Sequence, residues 1–213
     1  MSASTMRASD RAYAQLRERL LDLRLSPGSV VNEQSLANEL GIGRMPVHEA
    51  LARLASDGFV TVLPRRGTVV TSFTLEDVRN LFEAREALEC GAVHIAAQRA
   101  TDEDVAALDD LVAAADQARA DGAPEDYLRA DFEIHLSVVR MLGNSLLTDA
   151  AERLLMHNLR FWRFYFSTRS AQGTAMLGHA ELLAGIRTRS GDEAERAMRK
   201  HITDSRGLLQ ALF

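Results

Sequence analysis

The amino-acid sequence predicts a mainly α-helical fold, in which three helices and a β-hairpin are followed by an all-helical bundle of about six helices. Three observations lead to this prediction. Apolar residues recur at spacings of three and four along most of the 213 residues. β-branched residues cluster in two short runs near 59–71, on either side of a turn. No proline follows Pro124, so the long C-terminal stretch lacks the residue that interrupts helices.

The composition is typical of a globular protein without a membrane segment. Hydrophobic residues make up 46% and charged residues 26% of the chain, unlike the composition of disordered proteins. No apolar run approaches the roughly 18 residues that span a membrane, and the N-terminus lacks the pattern of a secretory signal. The single cysteine, Cys90, has no partner for an internal disulfide. We therefore expect a protein of the reducing cytoplasm with no membrane partner.

Charge and proline content divide the chain near residue 72. Residues 1–72 carry a net charge of +2 and residues 73–213 a net charge of −7. We expect two domains with these bounds. The net negative charge of the whole chain excludes a general nucleic-acid-binding protein. The mildly basic first block can still place a few arginines on a DNA duplex.

The first block contains the three helices and the hairpin. The first helix ends at Ser26-Pro27-Gly28, the second starts after the capping residue Asn32, and the third ends at Asp57-Gly58. The predicted ranges are helices over 9–24, 33–40 and 44–56, then strands over 59–63 and 68–71.

The second block is predicted to be all-helical. Thr74 and Thr101 each precede an acidic residue by three positions, which is typical of a helix start. Later helices are separated by breaks at Asp121-Gly122, Gly143-Asn144, the stretch from Ser167 to Gly173, and Ser190-Gly191. The predicted helices lie near 75–99, 102–120, 124–142, 145–166, 174–189 and 192–211.

A short helix, a glycine-bearing turn, a second helix and a hairpin together predict a winged helix-turn-helix. Two helices that cross steeply need small residues in the turn, which Gly41 and Gly43 provide. In such a unit the second helix enters the major groove of DNA, where Arg44 can bind guanine in a bidentate way. Arg65 and Arg66 lie at the hairpin tip, within reach of phosphates or the minor groove. The alternative is that these arginines form an ordinary solvated surface.

The two blocks resemble the two domains of one family of regulators. The first is similar to the winged-helix domain of GntR-type bacterial transcription regulators over about residues 10–72, through Pro27-Gly28, Glu33, Leu36-Ala37, residues 40–51, Arg53-Leu54, residues 57–60 and Arg65-Arg66-Gly67. The second resembles the FCD effector domain of the FadR-like branch, through Arg85, Leu88-Glu89, Asp131, His135, Gly143-Asn144, His179 and His201.

The resemblance implies that the first block binds double-stranded DNA. The implied contact residues are Gln34, Ser35, Arg44, Met45, His48, Arg53, Arg65, Arg66 and Gly67. The family usually has arginine at the position of His48, often Ser-Arg-Thr at Gly43-Arg44-Met45, and often arginine at Gln34. A neutral histidine brings no phosphate-neutralising charge, and methionine cannot donate a hydrogen bond. These departures bear on the strength and sequence preference of binding.

One aspartate and three histidines fall on inward faces of three predicted helices. Asp131 and His135, four residues apart, lie on the apolar stripe of helix 124–142. His179 and His201 have inward spacing in the last two helices. A buried carboxylate is costly unless it is paired or binds a metal, and helical bundles build metal sites in this way. Hydrogen-bonded core residues are the alternative interpretation.

The resemblance implies that these four residues are metal ligands. Imidazole and carboxylate groups suit divalent transition metals, of which zinc is the first choice and nickel, manganese or iron are alternatives. The remaining histidines are interpreted as ordinary surface or core residues: His48, His94 and His157.

Arg85 is a further charge predicted to point inward. It shares a helix face with Val78, Leu81, Leu88, Ala92 and Ile95. A buried arginine needs an anion. Glu89, four residues on, can supply one; alternatively, Arg85 binds the carboxylate of a small organic acid whose other group completes the metal shell. The resemblance implies an effector pocket of this kind, with Arg85 and Asn144 as candidates.

The sequence therefore predicts a regulator and not an enzyme. A homodimer would bind a near-palindromic operator, and a small carboxylate effector would change its affinity. Two alternatives are a metal-dependent hydrolase on the helical bundle, and a winged helix that binds protein. No HExxH motif, glycine-rich phosphate loop or nucleophile elbow favours the hydrolase.

Overall fold

Three helices and a small antiparallel sheet form the N-terminal part of the chain. The computed structural model describes residues 6–64, 67–168 and 176–210, and the chain divides into two units, Met1–Thr74 and Leu75–Phe213. The elements of the first unit are α1 (Ala8–Leu21), β1 (Val30–Val31), α2 (Glu33–Leu40), α3 (Arg44–Ser56), β2 (Val60–Leu63) and β3 (Gly67–Val70). This is the predicted helix-turn-helix followed by a hairpin.

Local capping fixes the first helix of the helix-turn-helix, α2, at its predicted bounds, and α3 also has its predicted range. The Asn32 side chain accepts a hydrogen bond from the Ser35 backbone N–H at 2.9 Å, which satisfies one of the free donors at the start of α2. At the other end, Gly41 adopts a left-handed conformation with φ of 62°, which glycine accommodates without strain. Ile42 in the turn is buried, so the turn contributes to the core.

The structure corrects two predictions in the first unit. A third strand, β1, pairs with β3 through Val30 opposite Val69 and Val31 opposite Thr68, and the sheet order is β1-β3-β2. Two residues are too few to show an alternating pattern, so the sequence did not predict β1. The first helix ends at Leu21 and not at residue 24, because Leu23 has a positive φ of 63°, which is incompatible with an α-helix.

The second unit is all-helical among its described residues. Its helices are α4 (Leu75–Arg99), α5 (Asp102–Ala120), α6 (Pro124–Arg140), α7 (Ser145–Thr168), α8 (Ala180–Arg187) and α9 (Gly191–Gln210). α5 starts with the predicted capping box, in which the side chains of Thr101 and Asp104 each bond the other residue's backbone N–H. No helix in the described ranges combines the length and hydropathy needed to cross a membrane.

Three predictions about this unit are wrong in detail. α8 begins at Ala180 and not near 174, and residues 176–179 precede it without helical structure, while 174 and 175 lie outside the described residues. α6 ends at Arg140, two residues early. On α4, Ile95 is exposed, whereas Phe82 and Val93 are buried. Apolar residues occur on neighbouring faces of this helix, so their spacing alone did not identify the inward one.

Close packing of α8 against α9 brings two histidines of the second unit together. A Cβ atom at Gly185 would lie 2.6 Å from the backbone nitrogen of Ala194, so only glycine permits this approach. His179 immediately precedes α8 and His201 lies on α9. The contact at Gly185 therefore helps to set the distance between these two side chains.

Candidate metal centre and nucleic-acid interface

Asp131, His135, His179 and His201 converge in the interior of the second unit. One ligand-type atom from each residue lies within 4.8 Å of those of the others. Asp131 Oδ1 is 3.1 Å from His179 Nε2, 3.6 Å from His135 Nε2 and 3.7 Å from His201 Nε2. The Nε2 atoms of His135 and His201 are 3.3 Å apart. The structure thus brings together all four residues that the sequence selected.

These separations suit a shared cation. Two ligands at a normal zinc–nitrogen distance on a tetrahedral ion are about 3.3 Å apart. Both ring nitrogens of His179 and the Nδ1 atom of His201 are buried without a hydrogen-bond partner in the described part of the chain. Buried polar atoms normally have partners; of these three nitrogens, the Nε2 atom of His179 faces the Asp131 carboxylate at 3.1 Å, so it fits the role of a metal ligand. We name these four residues the Asp-His cluster.

A carboxylate behind the Asp-His cluster orients one of its rings. The Nδ1 atom of His135 contacts Glu89 Oε2. An ionised carboxylate can only accept, so Nδ1 carries the hydrogen and the Nε2 atom faces Asp131 and His201. Such an outer carboxylate is typical of histidines that bind metals.

Arg85 pairs with Glu89, which is the first of the two interpretations of Arg85 that the sequence left open. The Nε atom of Arg85 donates to Glu89 Oε1 at 2.7 Å, and its Nη1 atom donates to Asn158 Oδ1 at 3.0 Å. Its Nη2 atom lies 3.5 Å from both ring nitrogens of His135. Arg85 is therefore in direct contact with a residue of the Asp-His cluster.

Burial and neighbouring charges shift the pKa values of Glu89 and His135 in opposite directions. Arg85, Glu89 and His135 are each 1% exposed or less. Burial alone raises the pKa of Glu89, but the charges of Arg85 and His135 outweigh it and lower the pKa to about 2. Burial lowers the pKa of His135, but Glu89 and Asp131 outweigh it and raise the pKa to about 9. A metal ion at the Nε2 atom of His135 would therefore compete with a proton for this ring.

The protonation states of Asp131 and His201 also favour metal binding. Burial raises the pKa of Asp131, but His135 and His179 lower it well below its usual range. Burial lowers the pKa of His201 well below its usual range, and the neighbouring histidines act in the same direction. The cluster thus presents a carboxylate and a neutral imidazole, which are the protonation states that bind metal ions.

Tyr127 holds the segment that carries His179, and the sequence analysis missed it. Its hydroxyl accepts a hydrogen bond from the backbone N–H of Leu177 at 2.9 Å and lies 2.9 Å from the carbonyl of the same residue. The hydroxyl is also 3.4 Å from Asp131 Oδ1. Tyr127 precedes Asp131 by four residues, so helical spacing could have placed it on the same face.

Asn144, the second residue predicted to bind an effector, serves as a helix cap. Asn144 is exposed after the end of α6, and its side chain accepts hydrogen bonds from the backbone N–H groups of Leu146 and Leu147, as a helix cap does. A cleft of about 270 Å³ opens beside the Asp-His cluster and is lined by His179 and His201, together with Arg119 and Lys200. Arg85 and Asn144 do not line this cleft.

The first unit exposes the start of α3. The side chain of Arg44 is 68% exposed and that of His48 59%, and Met45 is 65% exposed. These residues follow the turn, where the helix of a helix-turn-helix contacts base edges. Glu33 at the start of α2 lies next to two of them, with Oε1 3.0 Å from His48 Nδ1 and Oε2 3.6 Å from Arg44 Nε.

The other residues predicted to contact DNA differ in their side-chain partners and backbone conformation. Arg53 is bound to α1: its Nη1 atom donates to Asp10 Oδ1 at 2.7 Å, and its guanidinium lies 4.1 Å from the centre of the Tyr13 ring. On α2, Gln34 donates to Asn38 and Ser35 donates to Glu39, both on the surface. Gly67 begins β3 with a positive φ of 82°. Arg65 and Arg66 lie outside the described residues.

Comparison with protein families identifies both parts of the chain. The FCD domain family matches residues 80–204. The family described as bacterial regulatory proteins, gntR family, matches residues 8–70. The two matches cover the units that contain the Asp-His cluster and the helix-turn-helix, respectively.

Known regulators resemble the chain over most of its length. The HTH-type transcriptional repressor RspR of Escherichia coli is 25% identical over 94% of this chain and 88% of its own. The HTH-type transcriptional regulator LutR of Bacillus subtilis is 28% identical over 89% of this chain and 95% of its own. Among solved structures, E. coli McbR/YncC superposes with a TM-score of 0.84 at 20% identity, over 98% of this chain and 99% of that one. That structural likeness supports the fold.

Proposed function

The chain belongs to the bacterial transcriptional regulators that join a GntR-type helix-turn-helix to an FCD domain, and on this basis we propose that it is a metal-containing, effector-responsive regulator of the cytoplasm. A homodimer binds a near-palindromic operator, because one small winged helix supplies few contacts. A divalent transition metal, zinc in the first instance, binds at the Asp-His cluster. The regulators that it resembles are not enzymes.

The observation that supports operator binding is the exposed start of α3. Arg44, Met45 and His48 all project into solvent from this part of α3. An arginine fork matches the O6 and N7 acceptors of guanine, and an apolar side chain suits the methyl group of thymine. Selection of bound fragments from a random duplex pool tests the proposal. Enrichment of a two-fold symmetric motif supports a dimeric regulator, and a folded protein that enriches no motif contradicts it.

Arg44→Ala is expected to weaken binding to the selected operator by about 1–3 kcal/mol, because the bidentate contact is lost. Binding to unrelated duplexes should change far less. Arg79→Ala is a matched control: Arg79 lies in the second unit and is similarly exposed, at 63%. Titration of labelled duplexes measures both affinities. Equal operator affinity for Arg44→Ala and the wild type would reject a base contact at this residue.

The effector proposal rests on the position of Arg85 beside the Asp-His cluster. Its Nη2 atom approaches the ring of His135, so a carboxylate bound there would meet both the guanidinium and a metal ion. A small organic acid with a second polar group fits this chemistry. Its binding would favour one arrangement of the two DNA-binding domains of the dimer and shift the population toward it.

Arg85→Lys is expected to abolish the response of operator binding to organic acids, because one ammonium group cannot replace a guanidinium that bonds Glu89 and Asn158 and still has Nη2 for a carboxylate. The charge next to Glu89 is kept, so metal content should stay near that of the wild type. Operator titration in the presence of acetate, malonate, succinate or citrate, together with elemental analysis, measures both properties. Joint loss of the metal and the response would show that Arg85 acts through the metal site alone.

A further inference from the structure

We infer that His48 reads a base pair and does not contact a phosphate, and that Glu33 positions both His48 and Arg44 for reading. This inference rests on the proposed operator binding and adds a determinant of specificity to it. It starts from one carboxylate that lies next to two exposed side chains of the neighbouring helix.

The geometry places Glu33 between the two helices of the helix-turn-helix. Its side chain is only 21% exposed, whereas those of Arg44 and His48 are 68% and 59% exposed. Oε1 is 3.0 Å from His48 Nδ1, and Oε2 is 3.6 Å from Arg44 Nε. Arg44 and His48 are four residues apart on α3, so they share one face of the helix. The more buried carboxylate thus orients two side chains that are otherwise free to move in solvent.

The contact with Glu33 determines which ring atom of His48 is available. An ionised carboxylate can only accept a hydrogen bond, so Nδ1 of His48 donates and carries the hydrogen. In the neutral ring, Nε2 then has a lone pair and accepts. An acceptor is repelled by phosphate oxygens, which are also acceptors. In the major groove it matches the amino groups of adenine N6 and cytosine N4.

The same carboxylate leaves the terminal nitrogens of Arg44 available to contact a base. Glu33 lies nearest to Nε, which leaves the two terminal nitrogens to form the fork that pairs with guanine O6 and N7. The negative charge of Glu33 also offsets part of the attraction between Arg44 and the phosphates. The pair therefore contributes to sequence discrimination more than to general affinity for DNA.

The test selects bound fragments from the random duplex pool with each full-length variant and compares the base preferences of the variants. His48→Ala is expected to lose about 2- to 10-fold discrimination in favour of an adenine or cytosine at one position of each half-site, because one hydrogen bond is lost. Glu33→Gln is expected to weaken the preference at that position and at the guanine read by Arg44. The control Glu49→Gln removes an equal charge from an exposed position of α3 and should leave both preferences unchanged.

A second measurement separates base reading from phosphate contact. The affinity for one fixed duplex is titrated over a range of salt concentrations. If His48 reads a base, His48→Ala keeps the wild-type salt dependence. A uniform loss of affinity for all duplexes with a shallower salt dependence would identify a phosphate contact and overturn the inference. Unchanged preferences in Glu33→Gln would overturn the role of Glu33. A wild-type protein that enriches no motif would reject operator binding itself.

Discussion

Replacing Asp131 with alanine is expected to lower the affinity for a divalent transition metal by more than about 100-fold, because loss of an outer-shell partner already costs roughly 10- to 100-fold. Oδ1 of Asp131 lies within 3.7 Å of the Nε2 atoms of all three histidines of the Asp-His cluster. Without it, only imidazoles remain as ligands, and no ligand carries a negative charge that offsets the charge of the cation. Elemental analysis after dialysis against zinc measures the loss.

The same variant should remove the stabilisation that a metal provides. An ion present at about a thousand times its Kd stabilises the folded state by about 4 kcal/mol. A chelator should therefore lower the melting temperature of the wild type and leave that of Asp131→Ala unchanged. Asp126→Ala, an exposed carboxylate on the same helix, is the control and should keep the response to the chelator. Asp131→Asn, which preserves the shape of the side chain, serves if the alanine variant does not fold.

A wild-type melting temperature that is the same with and without chelator, in a protein dialysed against zinc, nickel, manganese and iron in turn, would contradict the metal site. The Asp-His cluster would then be a set of hydrogen-bonded core residues, which is the alternative that the sequence left open.

Glu89→Ala is expected to destabilise the second unit by about 3–5 kcal/mol, because it leaves a charge buried without its partner. Glu89 accepts from the Nε atom of Arg85 and contacts the ring of His135, and all three side chains are buried. A small protein has a total stability of about 5–15 kcal/mol, so this loss is a large part of it. Denaturant unfolding in the presence of a chelator measures the change without any contribution from metal.

Glu86→Ala provides the matched control for this experiment. Glu86 lies three residues earlier on α4 and pairs with Arg199, but the pair is partly exposed, with side chains 30% and 48% accessible. Surface pairs contribute less than about 1 kcal/mol. A loss for Glu89→Ala no larger than that for Glu86→Ala would show that Arg85 does not depend on Glu89.

The sequence alone determined the features that depend on residues within a few positions of each other. The bounds of α2 follow from the Asn32 cap and the glycine turn at Gly41, and the end of α3 follows from Asp57-Gly58; both helices have their predicted ranges. The inward positions of Asp131 and His135 follow from helical spacing, and both are buried. Caps and periodicity act over one or two turns of the chain, so a local pattern is sufficient to predict them.

Only the tertiary structure decided which distant groups meet. Glu89 and His135 are 46 residues apart and lie on different helices, and Tyr127 holds Leu177 from 50 residues away. The same holds for the pairing of β1 with β3 and for the approach of Glu33 to His48. Which side chains of two packed elements touch depends on the rotation and separation of those elements. Those quantities are set by the packing of the whole unit, and no local pattern in the sequence contains them.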